Sequence, residues 1–136
     1  MDKLVAFYSY TGHTRRIAQE CASKEAADIV EIKDVKCPGK LKAYTAGCFS
    51  AMRGKAWPIQ PLSSDLTGYN NLILFSPVWA GNPPPPVHAF LELLPKGISV
   101  SIKMVSASGR SNCLDKLEKT IKTKAGALDG FENIKA

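Results

Sequence analysis

The hexapeptide Ser9-Tyr10-Thr11-Gly12-His13-Thr14 follows directly on the apolar run Leu4-Val5-Ala6-Phe7-Tyr8. Hydroxyls and a glycine at the end of a buried strand make a turn suited to an anion. The next segment, Arg15 to Lys24, has helical spacing, with Ile17, Ala18, Cys21 and Ala22 on one face and Arg15, Arg16, Gln19, Glu20 and Ser23 on the other. A strand-turn-helix unit aims backbone N–H groups and the positive end of the helix dipole at one small volume. Ser9, Thr11 and Thr14 add hydroxyl donors, and Gly12 lets the backbone approach closely. The simpler alternative is a helix cap, with Thr11 or Thr14 satisfying free amides. The dinucleotide fingerprint needs three spaced glycines and the nucleotide-triphosphate loop needs Gly-Lys-Ser/Thr; neither is present. A phosphate monoester held without metal is the chemistry these residues fit.

Alternating elements position this turn. Residues 3–8 read as a buried strand, 13–24 as a helix and 28–33 as an alternating strand. After a turn at Cys37-Pro38-Gly39, the residues Leu41, Tyr44, Cys48, Phe49 and Met52 share a helical face that Gly54 ends. Residues 55–69 read as a loop, in which Trp57 is an anchor or a ligand neighbour. Leu72 to Phe75 is a central strand covered on both faces. Asn82 and four prolines, Pro83 to Pro86, lead into a helix striped by Val87, Phe90, Leu91 and Leu94. Ile98, Val100, Ile102 and Met104 alternate with Ser99, Ser101 and Lys103 as a strand with one polar face. Leu114, Leu117 and Ile121 line a last helix, and Phe131 to Lys135 read as a short edge strand. This order predicts one α/β domain over 1–136, with a parallel sheet and helices on both faces.

The bulk properties narrow the function. The content is 45% hydrophobic and 22% charged, as in a globular protein. No apolar run approaches a membrane span, and the reading expects neither a signal peptide nor a membrane partner. Cys21, Cys37, Cys48 and Cys113 form no zinc or redox pair, which points to free thiols in the cytoplasm. The formal charge is +6. Residues 61–95 contribute only Asp65 and Glu92, so the basic groups lie in the two flanking thirds. They are scattered without aromatic interleaving, and no nucleic-acid partner is expected.

Ligands of such sheets bind outside the carboxyl ends of the strands. Three turns follow strand ends there: 9–14, 76–82 and 106–112. The second, Ser76-Pro77-Val78-Trp79-Ala80-Gly81-Asn82, sets a tryptophan beside a glycine, either packed on the core or covering a flat ring. The third, Ser106-Ala107-Ser108-Gly109-Arg110-Ser111-Asn112, offers amides and a cation, or an ordinary cap by Ser108 or Ser111.

Together these turns resemble the flavodoxin family. Its Ser/Thr-x-Thr-Gly-x-Thr turn is matched by Ser9 to Thr14, and Ser76 to Pro83 followed by Val87 and Phe90-Leu91 is similar to a subgroup with a Pro-x-Trp loop. The resemblance spans residue 3 to about 124. It implies a three-layer sandwich with strand order 2-1-3-4-5 and FMN at the switch point. Ser9, Thr11, Gly12, His13 and Thr14, with Tyr10, would hold the phosphate. Pro77, Val78, Trp79, Ala80, Gly81 and Asn82 would wrap the isoalloxazine. Ser106, Ala107, Ser108, Gly109 and Arg110 would line its pyrimidine edge. The Gly81 peptide would rotate toward reduced N5.

Three departures follow. Only Ala125 to Ala136 follow the last helix, too few for the family's fifth strand and C-terminal helix, so one sheet face should lack cover near Ser99, Ser101 and Lys103. The chain is basic where many flavodoxins are acidic. The third loop carries Arg110, a candidate to stabilise negative charge on reduced flavin. The resemblance implies an electron carrier serving a reductase and an acceptor, as monomer or homodimer, with no catalytic residue or metal of its own. An FMN-dependent NAD(P)H:quinone-type oxidoreductase and a flavin-free scaffold are the alternatives. Cys48 and Arg53 miss phosphatase spacing by one residue, and Ser76 stands where a phospho-receiver needs aspartate. His13 is expected to cap the first helix and His88 to be exposed.

Overall fold

The computed structural model describes residues 3–9, 12–33, 59–60, 62, 66–79, 81–124 and 126–135. The expected helix over 41–52, Trp57 and most of the 55–69 loop lie outside them, as do Tyr10, Thr11 and Ala80 of the expected site.

Five strands and three helices alternate along the described chain. They are β1 (Lys3–Phe7), α1 (His13–Glu25), β2 (Asp28–Glu31), β3 (Asn71–Pro77), α2 (Pro85–Glu92), β4 (Ser99–Ser106), α3 (Leu114–Thr123) and β5 (Ala127–Lys135). The sheet order is β2-β1-β3-β4-β5. Every pairing is parallel, with Val5 opposite both Ile29 and Ile73, and Phe75 opposite Lys103. All carboxyl ends therefore lie on one edge. The inner strand β1 is buried on both faces from Leu4 to Phe7, which is why its sequence is a continuous apolar run.

Right-handed crossovers put α1 on one face and α2 and α3 on the other, because the chain reverses its direction across the sheet after β2. Alternate residues feed the two cores. Leu4, Ala6, Leu72, Leu74, Ile102 and Met104 pack under Phe90 and Leu91 of α2 and Leu117 and Ile121 of α3. Val5, Phe7, Phe75 and Val105 pack under Ala18 and Ala22 of α1. Each fully buried large side chain contributes about 1.5–3 kcal/mol of transfer free energy.

The fifth strand is longer than the sequence suggests. It starts at Ala127 rather than Phe131 and pairs with β4 from end to end except at Asp129, which a register shift at Val100/Ser101 leaves without a partner on β4. Ala127-Leu128-Asp129-Gly130 has poor strand propensity, and pairing with β4 overrides it. β2 ends at Glu31, two residues early, and β4 runs two residues beyond Met104, to Ser106. The α1 face is polar over its far half, as expected. Ser99, Ser101 and Lys103 are half-buried, and Lys103 Nζ reaches Glu132 Oε1 at 2.7 Å across the strands. Cys21 and Cys113 are free, and burial pushes both thiols up. No described helix is long and apolar enough to cross a membrane.

Candidate functional site

The first loop leaves β1 at Ser9 and enters α1 through Gly12. The Gly12 N–H donates to Ser9 Oγ at 2.9 Å, and the Gly12 carbonyl accepts from Arg16 N–H at 3.2 Å. Gly12 is the helix cap, with φ +100°, and no side chain among the described residues caps the helix. The amides of His13, Thr14 and Arg15 thus lack an intrahelical partner. A Cβ on Gly12 would meet nothing within 4 Å among the described residues. His13 is exposed and is the first helical residue, which corrects its expected role as cap: glycine alone takes the left-handed turn without strain. Thr14 is buried.

The second loop closes on itself. Trp79 N–H donates to the Asn82 carbonyl at 2.8 Å, and Asn82 N–H donates to the Trp79 carbonyl at 3.1 Å. Gly81, at φ +82°, makes the tight turn between them. Asn82 is buried, whereas Pro77, Val78, Trp79 and Gly81 are half-buried. The Trp79 ring stands edge to face with Tyr8, centroids 6.1 Å apart at 75°, which ties this loop to the end of β1. Core packing thus accounts for part of Trp79. Ser76 is buried and donates its hydroxyl to the Pro77 carbonyl at 2.9 Å.

The third loop is held on both sides. Ser106 Oγ accepts Gly109 N–H at 3.0 Å, and Ser108 Oγ accepts Arg110 N–H at 3.3 Å. Ser111 bonds Asn133 at the end of β5 at 2.6 Å. Neither serine caps α3, which starts after Cys113 with no side-chain cap; the hydroxyls are taken by loop amides and by β5 instead. Gly109, at φ +68°, packs against Lys135. Ala107, Ser108 and Arg110 are exposed.

Asn112 joins the second and third loops. Its N–H donates to the Gly81 carbonyl at 2.9 Å, and its side-chain amide occupies the space a Cβ on Gly81 would need, with Cγ at 2.8 Å. This residue was legible only as a loop polar group before a helix. The peptide between Gly81 and Asn82 is therefore held at both ends, by Asn112 and by Trp79. Rotating it, as the family resemblance implies, breaks both bonds at about 0.5–1.5 kcal/mol each.

His88, in the first turn of α2, is not exposed as expected. Burial holds its imidazole below the ordinary histidine range, although the Pro83 carbonyl accepts a hydrogen bond from it. Its Nε2 is buried without a partner among the described residues. A neutral His88 in the fold against a protonatable one in the unfolded chain gives a definite sign: stability is complete above the unfolded value near 6.5 and declines as pH falls below it. The slope is at most about 1.4 kcal/mol per pH unit for one proton. Denaturation midpoints between pH 7 and 5 should therefore fall less steeply for His88→Gln than for the native chain.

No family model and no curated protein sequence matches this chain. Solved structures do. A flavoprotein from Lactobacillus acidophilus NCFM, crystallised in complex with FMN, superposes with a TM-score of 0.77 at 20% identity, over 96% of this chain and 91% of that one. A protein from Bacteroides eggerthii DSM 20697 assigned as a flavoprotein gives 0.80 at 20% identity, over 96% and 86%. The chain has a flavodoxin-like fold. The flavodoxin of Streptococcus pneumonia TIGR4 is more distant, with a TM-score of 0.51 at 12% identity over 98% and 86%. In the flavodoxin-like fold the three loops described above share one edge of the sheet, and Tyr8–Trp79 and Asn112–Gly81 link them pairwise.

Proposed function

We propose that this chain binds FMN and acts as an electron-transfer protein of the flavodoxin kind, in the Pro-x-Trp loop subgroup. The observation that carries the reading is the start of α1 at a left-handed Gly12, which no described side chain caps and whose Cβ direction no described atom fills, on the same sheet edge as a tryptophan turn clasped to a serine- and glycine-rich loop. A phosphate monoester supplies the anion that such a helix start lacks. FMN, when bound, supplies reversible uptake of one or two electrons. Ser9, Gly12, His13 and Thr14, with Tyr10 and Thr11, are assigned to the phosphate. Pro77 to Asn82 and Ser106 to Arg110 are assigned to the ring. Titration of the purified protein with FMN, followed by visible absorption and flavin fluorescence, tests this. Quenching that saturates at one equivalent is expected; a protein that ignores excess FMN ends the reading.

Arg110 tunes the cofactor only weakly in this reading. Its side chain is exposed, so a charge contact there contributes about 0.5–1 kcal/mol at low salt. Arg110→Ala should lower the two-electron midpoint by about 10–20 mV, a difference that added salt removes. An unchanged midpoint at low salt sinks the assignment.

The second reading, an FMN-dependent NAD(P)H:quinone-type oxidoreductase, draws on the same exposed Arg110 as an anchor for an anionic substrate. NADPH consumption by the FMN-loaded protein with a quinone and no partner protein selects it over the carrier.

A further inference from the structure

The described charges are unevenly divided between the two edges of the sheet. On the carboxyl edge Arg16, Lys33, Arg110 and Lys135 are exposed and make no ion pair among the described residues. Among the described residues the acidic groups there are Glu31, which Arg15 already neutralises, and Asp115. The amino edge is mixed. Lys3 pairs with Glu25 at 2.9 Å, and Asp28, Glu92 and Asp129 lie among its remaining lysines.

Lys33 follows β2 and Lys135 ends β5, the two outer strands of the sheet. Four strand spacings of about 4.8 Å separate them, a span of about 19 Å. Arg16 and Arg110 lie between, beside the first and third loops. One small anion cannot meet charges so far apart, whereas a protein face of about 800 Å² covers them all. We infer that this rim is the docking surface for an acidic protein, which it brings to the three-loop edge. The inference rests on the FMN reading for its purpose, since an electron donor or acceptor must reach that edge. It does not rest on it for the surface itself. A nucleic acid fits less well, because the described aromatic ring on this edge, Trp79, stands against Tyr8 instead of forming a stacking platform.

Rim charges act chiefly on association and on its salt dependence. The probe is an immobilised plant-type [2Fe–2S] ferredoxin, an acidic redox protein, with an about 20-bp DNA duplex as the competing polyanion. The full chain should bind ferredoxin at low ionic strength and lose it as salt rises. Lys33→Glu/Lys135→Glu should weaken binding about ten-fold or more, while Lys24→Glu/Lys96→Glu, with the same net charge change on the opposite edge, stays within about two-fold. Equal losses in both variants, no ferredoxin binding, or tighter binding to the duplex through the same rim would overturn the inference. FMN titration of the same proteins is read separately. A chain that binds ferredoxin through the rim and ignores FMN keeps the docking surface and removes only the cofactor reading.

Discussion

Replacing Gly81 with alanine is expected to destabilise the fold by about 2–3 kcal/mol and to abolish most FMN binding. Two effects add. At φ +82° an L side chain is strained by about 1–2 kcal/mol. The new methyl would also sit 2.8 Å from Asn112 Cγ, so the loop clasp must open. Gly12 provides the contrast: it too has positive φ, but no described atom lies within 4 Å of its Cβ position. The Asn112→Ala partner separates the two effects. In the double variant the steric part should be recovered and the backbone part should remain, a coupling that a double-mutant cycle in chemical denaturation measures. A Gly81→Ala protein with native stability and native FMN affinity would falsify the clasp as an organiser of the site.

Gly12→Asp should separate folding from binding. The carboxylate supplies an anion at the start of α1, where no described side chain caps the helix, and aspartate tolerates positive φ better than most residues. Stability should stay within about 1 kcal/mol of the native chain. FMN affinity should fall about 100-fold or more, because the carboxylate occupies the amides that the phosphate needs. Losing two charge-assisted hydrogen bonds, at about 1.5–3 kcal/mol each, gives that magnitude. Thermal melts and FMN fluorescence titrations check the two halves independently. Unchanged FMN affinity would move the phosphate elsewhere, and a large loss of stability would mean that Gly12 is needed for the turn itself.

The elements were legible where one local signal dominated. The apolar run of β1, the stripe of α2 behind its prolines and the alternation of β4 each record a burial pattern, and burial is what the sheet imposes on them. β5 was half-missed, because Ala127, Leu128 and Gly130 are held extended by pairing with β4 and not by their own preference, while Asp129 is passed over at the register shift. His88 was misplaced for the same kind of reason: a histidine in a first helical turn carries no local sign of what covers it.

The sequence by itself determined the architecture and the three loops that meet at the carboxyl edge, because strand-helix alternation and chirality leave few topologies open. It also pointed to Gly12 as the place where the chain turns into α1, because a glycine after a buried strand states its conformational freedom locally. The tertiary structure alone decided which groups are already in use. Trp79 is braced by Tyr8, Ser111 by Asn133, and the Gly81 carbonyl by Asn112, each across a sequence separation that periodicity cannot read. It also decided that basic residues scattered from Arg16 to Lys135 line one rim, because only a parallel sheet brings all its carboxyl ends to the same edge.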